Sequence, residues 1–599
     1  MSHNVLLERE QMDEAYKWQL EDIYESNNHW ETEYKNAESL LEEVAGYAGK
    51  LSESVETFSE ALSKYYELSL VVERLFVYAR MRRDEDNSNT TYQALADRAT
   101  SLTVKAQSAT SYMTPEILGM EPSLLDQYME HESIATYRQS LIEILHRRPH
   151  TLSKSEEKIL AMAGEMAAAP DTIYSMMTDA DMTFPTIKDE NGNDVEISHG
   201  RFIPLMESKD QEVRKAAFEG LYSTYKKWDN TMAASLSSTV KKDIFFAKAR
   251  NYDSALKASL HPDNVPQEVY DSLIEAIHDS LPSMHRYMRL KKKMLGVEEL
   301  HMYDLYVPVV DDVEMKISYE EAVDMIGDGL KPLGEEYIKI MIDGVKNNKW
   351  VDVYENKGKT SGAYSWGIWG THPYVLMNWN DTVDNAFTLA HELGHAMHTH
   401  YSDSTQPYHL SGYPLILAEV ASTCNEALFM DFMLGKTQGK KERMFLLNYF
   451  LEQFRTTVYR QVMFAEFEKI THDMAEQGKS LTSEALQDVY RRLNEEYYGD
   501  DMVIDDEIAM EWARIPHFYR AFYVYKYATG FASAIALSRM VLRGGEKERE
   551  RYLNFLKGGC TKFPLELLKD AGVDLTTPHA VKEALKTFEE ILDELEGMI

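Results

Sequence analysis

His391 and His395 stand four residues apart with a glutamate beside the first, in the run His391-Glu392-Leu393-Gly394-His395. Residues four apart are neighbours on a helix surface, so both imidazoles can reach one metal ion while the backbone stays rigid. Glu392 lies on the same side but displaced around the helix. It is suited to touch a metal-bound water as general base rather than to bind the metal itself. The flanking residues, Asp381 to His400, give that helix two faces. At about 100° per residue, Thr388, His391, Glu392, His395, His398 and Thr399 share about one third of the circumference, with Ala386, Leu389, Ala390, Leu393, Ala396 and Met397 opposite. One face reads as core and the other as a zinc site.

Two imidazoles do not complete a catalytic zinc site, which usually takes three protein ligands and one open position. The arrangement with a third histidine soon after the motif is excluded, because His398 and Tyr401 stand where glycine and histidine would be required. A ligand from a following helix is the other solution. The run Leu415 to Glu426 is helical in pattern, and a loop containing Pro407 and Gly412 can turn the chain back. Glu419 is the candidate ligand, weighed against an ordinary surface glutamate. Glu426, two turns further on the same face, could hold a ligand imidazole from behind. Downstream, His517, Tyr519, Tyr523, Tyr525 and Tyr527 crowd into one short segment. Such donors can stabilise the oxyanion formed when water attacks an amide carbonyl, although for Tyr519 and Tyr523 an aromatic core segment is the preferred reading.

The elements that position these groups follow from periodicity. Helical patterning fills 31–48, 54–82 and 89–111, joined by short polar breaks, so these helices should pack antiparallel. Shorter helices follow, punctuated by Pro115, Pro122, Pro149 and Pro170. Asn191-Gly192 between two β-like runs predicts a hairpin. Two domains are expected: a helical N-terminal lobe over 1–200 ending in that hairpin, and a catalytic domain over 201–599. Between Trp350 and Trp379 the period turns β-like, predicting a small sheet beside the active-site helix, which Asp381 would cap. A small structural sheet is one reading; in a peptidase an edge strand there can instead pair with a substrate main chain. That makes Gly362, Ala363 and Tyr364 candidate substrate contacts.

Composition narrows the class. The chain has 599 residues, 44% hydrophobic and 27% charged, with only 17 prolines and 29 glycines, which favours helices. A net charge of −36 argues against a nucleic-acid or anionic-membrane partner, which would need a basic surface. Cys424 and Cys560 make no disulfide framework, and neither a signal sequence nor a membrane-length apolar run is present. The expected location is the cytoplasm.

Taken together, HELGHAMH, the later AEVASTCNE, the preceding SGAYSWG and PYVLMNW, and the following IPHFYRAFYVYKYATG resemble the oligoendopeptidase F branch of the thimet oligopeptidase family of zinc peptidases. WQLEDIY near Trp18 extends the likeness to the N-terminal region. The resemblance implies a mainly α, two-lobed helical zincin enclosing a deep substrate channel. It implies one zinc ion per chain on His391, His395 and Glu419, with Glu392 as general base and later proton donor. His517 and Tyr527 are implied to face the substrate and stabilise the tetrahedral intermediate, with Tyr525 beside them. The chain departs from the family at His400, where tyrosine is usual, and at Cys424, where phenylalanine is usual. Neither is an expected ligand. The function so implied is endopeptidase cleavage of short unstructured peptides, with a monomer favoured. A zinc carboxypeptidase or dipeptidase on a related helical scaffold, and a non-catalytic peptide-binding protein, are the alternatives.

Overall fold

The N-terminal helices form where their periodicity and caps predict them, at Asn27–Ala45, Val55–Glu85 and Thr90–Thr110. Ser54 caps the second by accepting the Thr57 amide, and Asn89 caps the third by accepting the amides of Thr91 and Tyr92. Their apolar stripes close on Trp30, whose indole N–H donates to the Leu75 carbonyl at 2.9 Å. The computed structural model describes residues 6–310, 313 and 315–599. The first five residues of the N-terminal stretch read as free of a signal sequence lie outside the described residues.

The chain builds two compact units from alternating stretches. One comprises residues 1–148, 315–433 and 537–573; the other comprises 149–314, 434–536 and 574–599. Along the sequence the chain changes unit after 148, 314, 433, 536 and 573.

The first unit holds the three N-terminal helices, a three-stranded sheet and the helix carrying the His-Glu-x-x-His run. In the sheet, Tyr374–Leu376 is central, parallel to Val351–Asp352 (Val351 opposite Val375) and antiparallel to Tyr364–Trp366 (Ser365 opposite Val375). The central strand is buried throughout, so it reads as an unbroken apolar run, whereas Tyr364–Trp366 is an edge. Asp352 is tied by Arg9 and by Lys359, the latter at 2.7 Å, which anchors the other edge in the core.

The helix carrying the His-Glu-x-x-His run spans Val383–Thr405. Its cap is Thr382 rather than the expected Asp381: the Thr382 hydroxyl accepts the Asn385 amide at 3.1 Å. Asp381, at φ +56°, instead turns the chain in the left-handed region that aspartate tolerates, and it accepts the Trp379 indole N–H at 2.8 Å. The next long helix, Leu415–Lys436, follows a short loop.

The second unit is also mainly helical. Its hairpin pairs Thr186–Lys188 with Asp194–Glu196 around Gly192 at φ +80°. It also contains Gln267–Leu295, Arg460–Glu476 and the tyrosine-rich segment around 517–527. Overall the fold is mainly α with small sheets, and among the described residues no helix is long and apolar enough to cross a membrane.

Candidate active site

On the helix Val383–Thr405, Ala386, Leu389, Ala390, Leu393, Ala396 and Met397 are all buried, as the two-faced pattern requires. The opposite face carries His391 and His395, both half-buried, with their Nε2 atoms 3.1 Å apart. Glu419 arrives from Leu415–Lys436, its Oε2 lying 3.4 Å from His391 Nε2 and 3.8 Å from His395 Nε2. One donor atom from each of the three lies within 4.8 Å of the others, a set that could hold a metal ion.

What brings the two helices so close is Gly394. A Cβ there would lie 2.5 Å from Ser422 Cα and 2.8 Å from the Ala421 carbonyl oxygen, so only glycine allows the backbones to touch. Asn425 then spans the contact, donating to the Ala390 carbonyl at 3.2 Å while accepting the Tyr337 hydroxyl at 3.0 Å.

Each imidazole is held from behind. His391 Nδ1 lies 2.6 Å from Glu426 Oε1, and the His395 ring is hydrogen-bonded to the Ala418 backbone. Ser422 Oγ donates to Glu419 Oε2 at 3.2 Å. This is the pattern of support that orients imidazole and carboxylate metal ligands, and the donor chemistry suits zinc. The charges fit as well. Burial disfavours the charged His391 ring, but Glu426, Glu392 and Glu419 outweigh it and raise the ring to about 9. His391 thus sits in a field that attracts a cation. His395 is pushed down to about 3 by burial and by His391 and His398, which leaves it neutral and able to ligate.

Glu392 is 7% exposed and accepts the backbone N–H of Ser365 on the edge strand. Burial raises its carboxyl to about 7, with His391 pulling down and Glu419 and Glu426 pushing up. A carboxyl so placed can both take and release a proton near neutral pH. The edge strand approaches the helix closely at its end, where a Cβ on Gly367 would collide with Thr399 Cγ2.

The remaining predicted residues fall as follows. Gly362 is exposed at φ +83°, and its carbonyl accepts the Asn378 side-chain amide at 2.8 Å. Ala363 and Tyr364 are half-buried, and the Tyr364 hydroxyl donates to Asp84 at 3.1 Å. His517, Tyr525 and Tyr527 belong to the second unit. There the Tyr527 hydroxyl donates to that of Tyr523 at 3.1 Å, and His517 lies parallel to Tyr523 with ring centroids 5.8 Å apart. Tyr525, by contrast, is 1% exposed and packs on Tyr270. His398, which the helical wheel puts on the polar face, is buried in a stack on Tyr413 with centroids 3.6 Å apart. The unusual His400 faces Trp350, and Cys424 is buried with its thiol pushed up to about 12, so neither joins the donor set. Sequence reasoning missed Ser365, Ser422, Asn425 and the role of Gly394. Only Gly394 left a signal, as an isolated glycine inside a strong helical pattern.

A family model for peptidase family M3 matches residues 204–587, and one for oligopeptidase F matches 116–184. The chain belongs to peptidase family M3. Among M3 relatives, it is 48% identical to oligopeptidase PepF of Bacillus subtilis, covering 100% of this chain and 89% of that protein. It is 38% identical to the group B oligopeptidase PepB of Streptococcus agalactiae, covering 99% and 98%. The crystal structure of oligoendopeptidase-F from Enterococcus faecium superposes with a TM-score of 0.75 at 37% identity, covering 96% of this chain and 99% of that one. The M3 chain is therefore a peptidase, and its mainly helical architecture is that of the family.

Proposed function

We propose that this M3 peptidase is a zinc endopeptidase that hydrolyses internal bonds of short, unstructured peptides. The observation that carries the reading is the convergence of His391, His395 and Glu419 beside a buried Glu392 held by a strand amide. The relatives named as oligopeptidases support peptides as the substrate class.

His391, His395 and Glu419 would hold the zinc, with Glu426 orienting His391. When bound, zinc supplies Lewis acidity that polarises a carbonyl and makes water a better nucleophile near neutral pH. Glu392 takes the proton of the attacking water and delivers it to the leaving amine, a double role that a carboxyl at about 7 can fill. The Ser365 amide keeps that carboxylate aimed throughout. Tyr527 and His517 are assigned to the oxyanion by the family likeness, as hydrogen-bond donors. The edge strand Tyr364–Trp366 is assigned to the substrate main chain, which binds peptides without reading their side chains.

The test is hydrolysis of a fluorescence-quenched peptide blocked at both ends, with and without a zinc chelator. Chelator-sensitive internal cleavage is the expected result. Cleavage confined to peptides with a free terminus would replace the reading with an exopeptidase, and zinc binding without hydrolysis of either would replace it with a binding protein.

A further inference from the structure

Phe522 is a bulky residue at φ +52°, a left-handed backbone that such side chains rarely adopt. Strained positions of this kind persist only where the surroundings over-determine them, and they gather at functional sites. Here the determinant is a buried acid. Glu468, on Arg460–Glu476 and 2% exposed, accepts the Phe522 amide on Oε1 at 3.0 Å. Its Oε2 is buried without a hydrogen-bond partner, so this carboxyl is retained in the core for a single visible contact. Burial pushes it well above the ordinary carboxyl range, with the Phe522 amide pulling down and Asp243 pushing up. The Phe522 ring is clamped between His472, at 4.5 Å, and Tyr270, at 5.9 Å. His472 in turn hydrogen-bonds the Glu468 carbonyl at 2.8 Å.

The turn so held is the connection between His517 and Tyr527. Immediately after it, the Tyr523 carbonyl accepts the Lys526 amide and the Val524 carbonyl accepts the Tyr527 amide, starting the helix Tyr525–Gly544. The Tyr527 hydroxyl donates to Tyr523, and the His517 ring lies parallel to Tyr523 and edge-on to Tyr527 at 6.0 Å. One backbone inversion thus sets the relative placement of all three rings.

We infer that Glu468 is a positioning residue for catalysis: by accepting the Phe522 amide it holds the inverted turn that presents Tyr523, Tyr527 and His517 as one donor cluster. The inference rests on the reading of Tyr527 as an oxyanion donor. It predicts that acceptor position matters and charge does not. Glu468→Gln keeps an oxygen at the same reach in a neutral group, whereas Glu468→Asp keeps the acid and withdraws the oxygen by one methylene.

Steady-state kinetics and hydrogen exchange of peptides spanning 517–527 would be measured on the zinc-loaded full chain, for Glu468→Gln, Glu468→Asp, Glu468→Leu, Tyr527→Phe and the Glu468→Asp/Tyr527→Phe double variant. Glu468→Gln is expected within about twofold of the parent in both readouts. Glu468→Asp and Glu468→Leu should exchange faster across the turn and lose about tenfold in kcat with KM little changed, part of the ~10²-fold that losing an oxyanion donor brings. The double variant should be little slower than Tyr527→Phe alone. If Glu468→Leu does not fold, Glu468→Asp still decides. Unchanged exchange in Glu468→Asp, or loss in Glu468→Gln with retention in Glu468→Asp, overturns the latch. Faster exchange with full turnover, together with full turnover in Tyr527→Phe, overturns instead the oxyanion reading on which it rests.

Discussion

Alanine at position 394 would add one methyl group where the active-site helix meets Leu415–Lys436. Its carbon would lie 2.5 Å from Ser422 Cα, 2.8 Å from the Ala421 oxygen and 2.9 Å from Ser422 N. All three are backbone atoms, so no side chain can swing aside. Ordinary carbon contacts are about 3.5–4.0 Å, so the helices must part by about 1 Å. Two effects on stability oppose each other. Alanine is favoured over glycine within a helix by about 1 kcal/mol. Overpacking a tight contact costs about 1–3 kcal/mol, so the net change is a destabilisation of up to about 2 kcal/mol.

The site should suffer more than the fold. Glu419 rides on one helix and the two imidazoles on the other, so the 3.4 Å separation of His391 Nε2 from Glu419 Oε2 would lengthen with the helix spacing. A shift of about 1 Å is several times the ~0.2 Å tolerance of metal–ligand distances. Zinc affinity, read by competition with a chelating indicator, should fall at least about tenfold, and kcat/KM at saturating zinc should fall about 10²-fold, as for other misplacements of that size. A Gly394→Ala variant with a raised melting temperature and zinc affinity within about twofold of the parent would refute the argument, because propensity would then have outweighed a contact that the helices could relax.

Glu426→Ala leaves the His391 ring without its carboxylate and should weaken zinc binding about 10–100-fold by equilibrium dialysis, with the melting temperature of the metal-free protein little changed. Glu392→Gln should bind zinc like the parent and lose about 10²–10⁴-fold in turnover, because only the proton carrier is removed; near-normal turnover would dismiss the assignment. In the second unit, burial works against the charged Glu452 carboxyl, yet Arg455 and Lys291 hold it at about 2, below its ordinary 4.5. Its stabilising contribution is therefore complete above about 4.5 and is lost as pH falls through about 2. Urea unfolding at pH 5 and pH 3 should show a larger loss for the parent than for Glu452→Gln, and equal losses would contradict the pairing.

Much of this was written in local pattern. The helices at Asn27–Ala45, Val55–Glu85 and Thr90–Thr110 and the hairpin at Gly192 follow from period, caps and a turn residue that tolerates positive φ. His391, His395, Glu419 and Glu426 were legible because helical spacing alone aligns each pair on one face. What escaped were contacts between elements distant in sequence. The cap fell to Thr382 because a neighbouring indole drew Asp381 into a different turn. His398 was placed by the wheel among polar residues, but Tyr413 from the following loop covers it. The Ser365 amide reaches Glu392 only because that strand is an edge, and no side-chain chemistry at 365 announces a backbone donor. Tyr525 looked like its neighbours at 523 and 527, yet the helix turns it inward onto Tyr270.

The alternation of the chain between its two units has a consequence during synthesis. The unit that carries the active-site helix draws on residues 1–148, 315–433 and 537–573, so it lacks its last pieces until nearly the whole chain has left the ribosome. At about 5–20 residues per second, about 20–90 s separate the emergence of the N-terminal helices from that of residues 537–573. During that interval surfaces destined for the core, such as the buried His398 ring that Phe555 packs against, have incomplete cover. A nascent chain stalled before residue 537 should therefore be cut by added protease far faster than the finished protein, and it should be held by chaperones that bind exposed apolar segments.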